Sequence, residues 1–160
     1  MLDLLKDFIV KALGHLAPFA IRWFYQPDKL ANAVKIRVRS EGDGITFNCG
    51  ELPHIRIWLL ITNLNPFKID FDRIFGQVCY GAVIGEFVHL RKYSLPPSKE
   101  KEIFIEYTLN GQQVQYIRRN LGKMDTKIYL GAYVNSKIRN FELSREINTK
   151  NVQLQNCTNL

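Results

Sequence analysis

The sequence predicts an all-β protein, an antiparallel β-sandwich preceded by an amphipathic helix. Beyond Asp28, apolar and polar residues alternate in short runs, turn-forming residues separate those runs, and only one later stretch has helical spacing. A chain of 160 residues is long enough to bury one full core without disulfides or metals. We therefore divide the chain into a helical segment, 1–27, and a sandwich domain, 28–160.

Each predicted strand is a run in which every second residue is apolar, because neighbouring side chains of a strand point to opposite faces. Turn-forming residues separate the runs, most clearly DG at 43–44 and LPPS at 95–98. One short helix is expected over GQQVQYIRRNL, with Asn110 as its N-cap and Gly122 as its end. The predicted strands cover residues 34–39, 45–47, 55–62, 67–72, 74–80, 84–91, 102–109, 127–134, 138–147 and, as a short tail, 152–154.

The stretch ITNLNPFKIDFDRI, residues 61–74, has the pattern of two strands broken at Asn65 and Pro66. Proline cannot donate a hydrogen bond to a sheet, and it pushes the preceding residue into an extended conformation. The break lets the chain change direction while the apolar residues on both sides keep facing the core. We interpret Asn65 and Pro66 as a corner that defines the fold.

The first 27 residues have the spacing of an amphipathic helix with a wide apolar face. Charged residues interrupt the apolar run too often for a membrane-spanning helix or a cleavable signal peptide, so neither is expected. In one interpretation the helix docks in a membrane interface or on a partner, with its aromatic end at headgroup depth. In the other, it packs on its own domain or self-associates. The candidate docking residues are Leu5, Phe8, Ile9, Leu13, Leu16, Trp23, Phe24 and Tyr25.

The net charge of +7 is concentrated at the two ends of the chain, and the middle is slightly acidic. Such an excess attracts polyanions in general, including nucleic acid and anionic lipid. Nucleic-acid binding is not favoured, because no aromatic-basic motif of the RNA-recognition kind occurs. The alternative to lipid binding is an edge strand whose charges guard it against aggregation. The candidate basic patch for lipid phosphates consists of Arg22, Lys29, Lys35, Arg37 and Arg39.

The three cysteines, Cys49, Cys79 and Cys157, are isolated in the sequence and odd in number. Their spacing argues against a disulfide scaffold and against a zinc site. We expect Cys49 and Cys79 to be ordinary, mostly buried side chains in a reducing compartment. This predicts a cytoplasmic protein, at most peripheral on a membrane.

No combination of residues has the pattern of a catalytic site. Asp70 and Asp72 share a strand face, as a cation site or an acid–base pair requires, but a solvated strand face explains them equally well. His54 and His89 lie on different predicted strands without a companion cysteine. We expect no enzymatic activity, no cofactor and no bound metal.

Trp58 and Leu60 lie opposite the main core row of their predicted strand. They are core residues if the N-terminal helix covers that face. If it does not, they form an exposed apolar patch and hence a binding site.

A longer pattern around the corner resembles the Water stress and Hypersensitive response (WHy) domain of late embryogenesis abundant (LEA) proteins. Members of that family have a strand that ends in an Asn-Pro turn, here TNLNPFKIDFDRI, although Phe67 stands where the family repeats the asparagine. The resemblance covers roughly residues 33–155 and contains no catalytic signature. The segments QVCYGAVIGEF, YSLPPSKE, KEIFIEYTL, IYLGAYV and IRNFELSREI are similar to the family's following strands and turns.

The resemblance implies an immunoglobulin-like or fibronectin-III-like sandwich. It also implies a role in stress or desiccation tolerance, with binding to proteins, membranes or lipids. We therefore expect a non-enzymatic LEA-type domain, attached to a membrane surface or a protein partner by its N-terminal helix. The alternative is a structural subunit that self-associates, or joins a larger complex, through the same helix.

Overall fold

A computed structural model of the chain describes residues 23–40, 44–150 and 152–158, which form two β-sheets around one shared core. The prediction of an all-β protein is confirmed. In chain order the elements are α1 (Pro27–Asn32), β1 (Val34–Val38), β2 (Ile45–Asn48), β3 (His54–Asn63), β4 (Ile69–Tyr80), β5 (Ala82–His89), β6 (Tyr93–Leu95), β7 (Glu100–Thr108), α2 (Gly111–Arg119), β8 (Thr126–Ser136), β9 (Phe141–Thr149) and β10 (Gln153–Gln155).

The first sheet is built on β3, which has β7 on one side and both β1 and β2 on the other. β1 and β2 together act as one interrupted strand. The N–H of Arg39 donates to the carbonyl of Trp58 at 2.9 Å, and the N–H of Trp58 donates to the carbonyl of Gly44 at 2.8 Å. A side chain at Gly44 would collide with the carbonyl oxygen of Arg39, so only glycine closes this loop. β10 adds to β2 in parallel.

The second sheet is built on β4, which pairs with β8 along its whole length. β9 lies beyond β8, and β5 and β6 share the other side of β4. The sequence predicts two strands, 67–72 and 74–80, where the structure has β4 alone. A bulge between Phe71 and Arg73 corrects the register within that single strand, so the alternation shifts without a break. The prediction also missed β6, because its last residue, Leu95, was assigned to the LPPS turn that follows.

The inward rows of the two sheets form the core. Ile55, Ile57, Leu59 and Ile61 of β3 are all fully buried, as alternation predicts. Contact between the sheets is direct, since the rings of Phe47 on β2 and Tyr80 on β4 meet edge to face at 5.6 Å. The second sheet contributes the buried row Ile69, Phe71, Ile74 and Val78 of β4 and the row Ile128, Leu130, Ala132 and Val134 of β8.

Helix α1 closes one side of the sandwich, between β1 and β9. Its residues Leu30 and Ala31 are buried, and the guanidinium of Arg145 on β9 donates to the carbonyl of Ala31 at 2.6 Å. On the opposite side β5 approaches β7, where a side chain at Gly85 would lie within 3.0 Å of the Tyr107 ring. Both flanks of the core are therefore covered by the chain itself.

The structure corrects the prediction that the cysteines are unpaired. Cys49, just after β2, is disulfide-bonded to Cys157, and their Cα atoms lie 4.8 Å apart. The parallel pairing of β10 with β2 brings the two residues together although 108 positions separate them in the chain. Sequence spacing cannot reveal such a pair, because it depends on which strands become neighbours. The prediction of a reducing compartment rested on free thiols and loses that support.

Candidate binding surface

Two neighbouring exposed aromatic residues, Trp23 and Phe24, begin the described part of the chain. Their side chains are 70% and 63% exposed, and their rings meet edge to face at 5.5 Å. Tyr25 is partly buried instead, with its ring 5.5 Å from that of Phe67. Two of the three aromatic residues predicted to dock are thus presented to solvent. The other predicted docking residues, Leu5, Phe8, Ile9, Leu13 and Leu16, lie outside the described residues.

The corner at Asn65 and Pro66 holds α1, and with it the start of the described chain, against the sandwich. The side-chain amide of Asn65 donates to the carbonyl of Leu30 at 3.3 Å. The N–H of Leu64 donates to the carbonyl of Ala33 at 2.7 Å. The corner predicted from the sequence therefore also fixes the point at which the N-terminal segment meets the domain.

The candidate basic patch presents less free charge than the sequence suggests. On the outer face of the first sheet, glutamates of β7 pair with arginines of β3 and of the β1 region. Such exposed pairs contribute little to stability, but they neutralise the charge that would meet a phosphate. The pairs are Arg37–Glu100 at 3.4 Å, Arg39–Glu102 at 2.8 Å and Arg56–Glu106 at 2.6 Å.

The remaining predicted members of the basic patch are lysines and one arginine. Lys29 on α1 and Lys35 on β1 are exposed. Arg22 lies outside the described residues. Among the described members of the patch, Lys29 is nearest in sequence to the exposed aromatic pair, five residues after Phe24.

The outer face of the first sheet is covered by its own side chains. The guanidinium of Arg39 lies 4.7 Å from the Trp58 ring centre, and the Trp58 ring lies 4.5 Å from that of Phe104. Trp58 and Leu60 are half-buried. Whether the N-terminal helix covers them stays a prediction, because residues 1–22 lie outside the described residues.

The outer face of the second sheet is more open. We call Phe75, Val88, Tyr129, Gly131 and Tyr133 the aromatic face. Val88, Tyr129 and Tyr133 are 54%, 41% and 43% exposed, and the rings of Phe75 and Tyr133 lie 5.6 Å apart. Gly131 forms a depression that the Phe75 ring partly fills, since a Cβ there would lie 2.5 Å from that ring. A cavity of about 360 Å³ opens at this place, and no motif in the sequence indicated it.

Polar groups border the aromatic face without crossing its centre. The side chain of Gln77 donates to Glu86 at 2.9 Å on one side, and Lys127 pairs with Glu146 at 3.0 Å further along. The guanidinium of Arg73 lies 5.5 Å from the Phe75 ring centre. The arrangement of an apolar centre and a polar border is typical of a surface that another element covers.

The two aspartates of β4 are each engaged by a neighbour. The Ser94 hydroxyl donates to Asp70, and Lys68 pairs with it at 3.2 Å. The Ser94 hydrogen bond, assisted by Lys68, holds the pKa of Asp70 below its usual range, although burial opposes this. The side-chain amide of Asn135 donates to Asp72. The two carboxylates thus have separate partners and do not face a common site.

The histidines are also engaged separately. His89 Nε2 and the Tyr93 hydroxyl are hydrogen-bonded at 2.6 Å, whereas His54 Nδ1 contacts the carbonyl of Leu52 at 2.7 Å. Burial, assisted by the charge of Arg91, lowers the pKa of His89. Within the described ranges, no group of three or more His, Cys, Asp or Glu could hold a metal ion. None of the helices described there is long and apolar enough to cross a membrane.

Comparison with known proteins adds similarities of low identity. No protein-family model and no curated protein matches the sequence. A structural genomics target solved by X-ray crystallography is 13% identical, aligns over 76% of this chain and 91% of its own, and has a TM-score of 0.49. A protein provisionally assigned to the LEA class is 13% identical over 92% of this chain and 84% of its own, with a TM-score of 0.47. A protein from Archaeoglobus fulgidus is 13% identical over 73% and 95%, with a TM-score of 0.42. At these values no function is carried over to this chain.

Proposed function

We propose that this protein is a non-enzymatic, LEA-type domain with an immunoglobulin-like or fibronectin-III-like sandwich. In this proposal it serves a stress-protective or binding role on a membrane surface, to which residues 1–27 attach it. The observation that carries the proposal is the exposed pair Trp23 and Phe24, placed where the amphipathic segment meets the sandwich. Exposed neighbouring aromatic rings cost free energy in water, and they fit the depth of lipid headgroups.

The sequence of residues 1–22 supports this function. Its apolar stripe can enter the acyl boundary while its charged stripe stays in water. The basic excess of the chain, together with the exposed Lys29 on α1, favours an anionic surface. The Asn65–Leu30 hydrogen bond ties the attachment point to the corner of the sandwich, so that binding of the segment also positions the domain.

Flotation of the full chain with vesicles tests the proposal. Vesicles of a neutral lipid and of a neutral lipid mixed with an anionic one are compared at two salt concentrations. We expect flotation mainly with the anionic vesicles, weakening as salt rises, because surface charge is screened. The double substitution Trp23→Ala and Phe24→Ala should reduce the floated fraction by roughly tenfold, because two aromatic rings no longer enter the membrane interface.

The matched control is Phe104→Ala, which removes an exposed aromatic side chain from the outer face of the first sheet. It should float like the unchanged chain. Equal flotation of the double variant and the control would overturn the membrane proposal, as would the absence of flotation with either vesicle.

The second candidate function is assembly of a larger complex or a homo-oligomer through the same segment. The same exposed aromatic pair favours it, because such rings also dominate protein interfaces. Sedimentation without lipid separates it from the first candidate. A chain that is oligomeric, and that becomes monomeric when Trp23 and Phe24 are replaced by Ala, supports assembly.

A further inference from the structure

We propose that the aromatic face is the docking site of the chain's own residues 1–22. In this inference the apolar stripe of the segment covers Phe75, Tyr129 and Tyr133 when no membrane holds it. The inference goes beyond the proposed function, because it assigns a resting place to the segment and a role to the second sheet. It shares with the proposed function only the expectation that the segment is an amphipathic helix.

The choice of sheet follows from how the two outer faces are covered. On the first sheet the three Arg–Glu pairs and the stacked Arg39 already lie over the aromatic residues. A helix placed there would bury several ionic groups, which costs free energy. On the second sheet the centre of the aromatic face carries no ion pair among the described residues. Covering that centre removes apolar and aromatic area from water, while Arg73 and the Lys127–Glu146 pair lie at its border.

The place where the described chain starts brings the segment to this face. Pro27 lines a cavity of about 440 Å³ together with Tyr133 and Glu142, at the end of β8 and the start of β9. The ring of Tyr25 contacts Phe67, just before β4 begins. Both contacts put the exit of the segment at the Tyr133 end of the aromatic face.

The length of the segment matches the length of the face. A helix of 22 residues, kinked at Pro18, is at most about 33 Å long at ~1.5 Å per residue. β8 has 11 residues, about 36 Å at ~3.3 Å per residue. The segment can therefore run along the sheet from Tyr133 past Tyr129. The cavity of about 360 Å³ lined by Phe75, Val88 and Tyr129 gives room for one bulky apolar side chain.

The same apolar stripe cannot contact the sheet and a membrane at once. A membrane would therefore have to compete with the aromatic face, and binding to it would shift the population toward the released segment. The aromatic face would become accessible only on the released domain. Docking thus gives the protein a closed state in water and an open state on a surface.

The free cysteine of the second sheet, Cys79, can be used to detect the docked segment by disulfide formation. Cys79 is unpaired, half-buried and opposite Lys127 on β8. From Tyr133 to Lys127 the strand covers about 20 Å, which a helix covers in ~13 residues. The helix residues near Cys79 are then around positions 9–11. Burial raises the pKa of the Cys79 thiol, so all rates are compared at one alkaline pH.

The test compares two full-length variants, Ile9→Cys on the apolar stripe and Lys11→Cys on the polar stripe. A mild oxidant removes two electrons and two protons from the thiol pair and joins the sulfurs. We expect the new cysteine at position 9 to bond to Cys79 roughly tenfold faster than the one at position 11, because only the first is held beside it. Adding Tyr129→Glu should slow the reaction of the position 9 variant to that of the control.

Equal rates at the two positions, or a purely intermolecular bond, would overturn the docking. Since no lipid is present, this outcome is independent of flotation. If the cysteine at position 9 bonds quickly to Cys79 but the chain does not float with vesicles, the membrane proposal is wrong and the docking proposal stands. If the chain floats but the two cysteine variants react at equal rates, the docking proposal is wrong and the membrane proposal stands. If both hold, anionic vesicles should slow the position 9 reaction several-fold.

Discussion

The side-chain oxygen of Asn63 accepts two hydrogen bonds from Asn65, one from its backbone N–H at 3.0 Å and one from its side-chain amide at 3.1 Å. The Asn63 amide in turn donates to the carbonyls of Phe67 at 2.8 Å and Leu95 at 3.0 Å. Both asparagines are buried. The two side chains together satisfy the backbone groups that the break at Pro66 would otherwise leave unpaired in the interior.

Replacing Asn63 by Ala should destabilise the domain by about 3 kcal/mol, because several buried polar groups lose their partners at once. Chemical denaturation of the full chain measures this change. Replacing Asn65 by Ala should cost less, since it removes the bonds to Leu30 and Asn63 only.

The exposed Asn32 is the matched control for these substitutions. Asn32→Ala should change the free energy of unfolding by less than about 0.5 kcal/mol. If Asn63→Ala were no more harmful than this control, the corner would not depend on the asparagine network.

The disulfide between Cys49 and Cys157 should stabilise the chain by about 2–4 kcal/mol, because it closes a long loop in the unfolded state. Cys157→Ser is expected to lose that amount in denaturation experiments. Treatment of the unchanged chain with a dithiol reductant should give the same loss. The control Cys79→Ser keeps the disulfide and should remain sensitive to the reductant. If the reductant left the free energy of unfolding unchanged, the disulfide would be absent.

Two glycines of the second sheet should differ in their tolerance of a methyl group. At Gly76 a Cβ would collide with the backbone carbonyl of Tyr129 and lie 2.8 Å from the Phe87 ring. At Gly131 the obstacle is the end of the Phe75 ring, which can swing toward solvent. We expect Gly76→Ala to cost about 3 kcal/mol and Gly131→Ala about 1 kcal/mol or less. Thermal unfolding of the two variants side by side gives the order, and the reverse order would contradict it.

The stability of the domain should depend on pH through His89. Its pKa is lowered on folding, so the unfolded chain binds more protons than the folded one near neutrality. The contribution of this group is fully present above the unfolded pKa of about 6.5 and falls as the pH drops through the folded value. His89→Gln should therefore flatten the dependence of unfolding free energy on pH between about pH 7 and pH 5.

Titration of the His89 ring by NMR checks the same prediction directly. The midpoint in the folded chain should lie below that of a histidine in the unfolded chain. A midpoint at or above the unfolded value, or an unchanged pH slope in His89→Gln, would contradict it. The hydrogen bond between His89 and Tyr93 makes Tyr93→Phe a useful second variant, since it alters the ring's partner without removing the ring.

The sequence by itself determined the all-β class and the identity of most core residues. Alternation is a local property, and β3 shows why it suffices: every second residue from Ile55 to Ile61 is apolar and buried. Asn65 and Pro66 could be identified for a similar reason, because proline restricts its own backbone and that of its neighbour. The bulge in β4 could not be found, since a one-residue shift looks like a break in the pattern.

Only the tertiary structure decided which distant residues meet. Asn63 is the centre of the corner, yet its partner Leu95 is 32 positions away. Arg37 was assigned to a basic patch from the sequence alone. In the structure it pairs with Glu100, 63 positions away, which neutralises its charge. Cys49 and Cys157, at a separation of 108, pair because β10 joins β2. The aromatic face likewise draws residues from β4, β5 and β8. Each of these depends on strand order, which periodicity along a single strand does not encode.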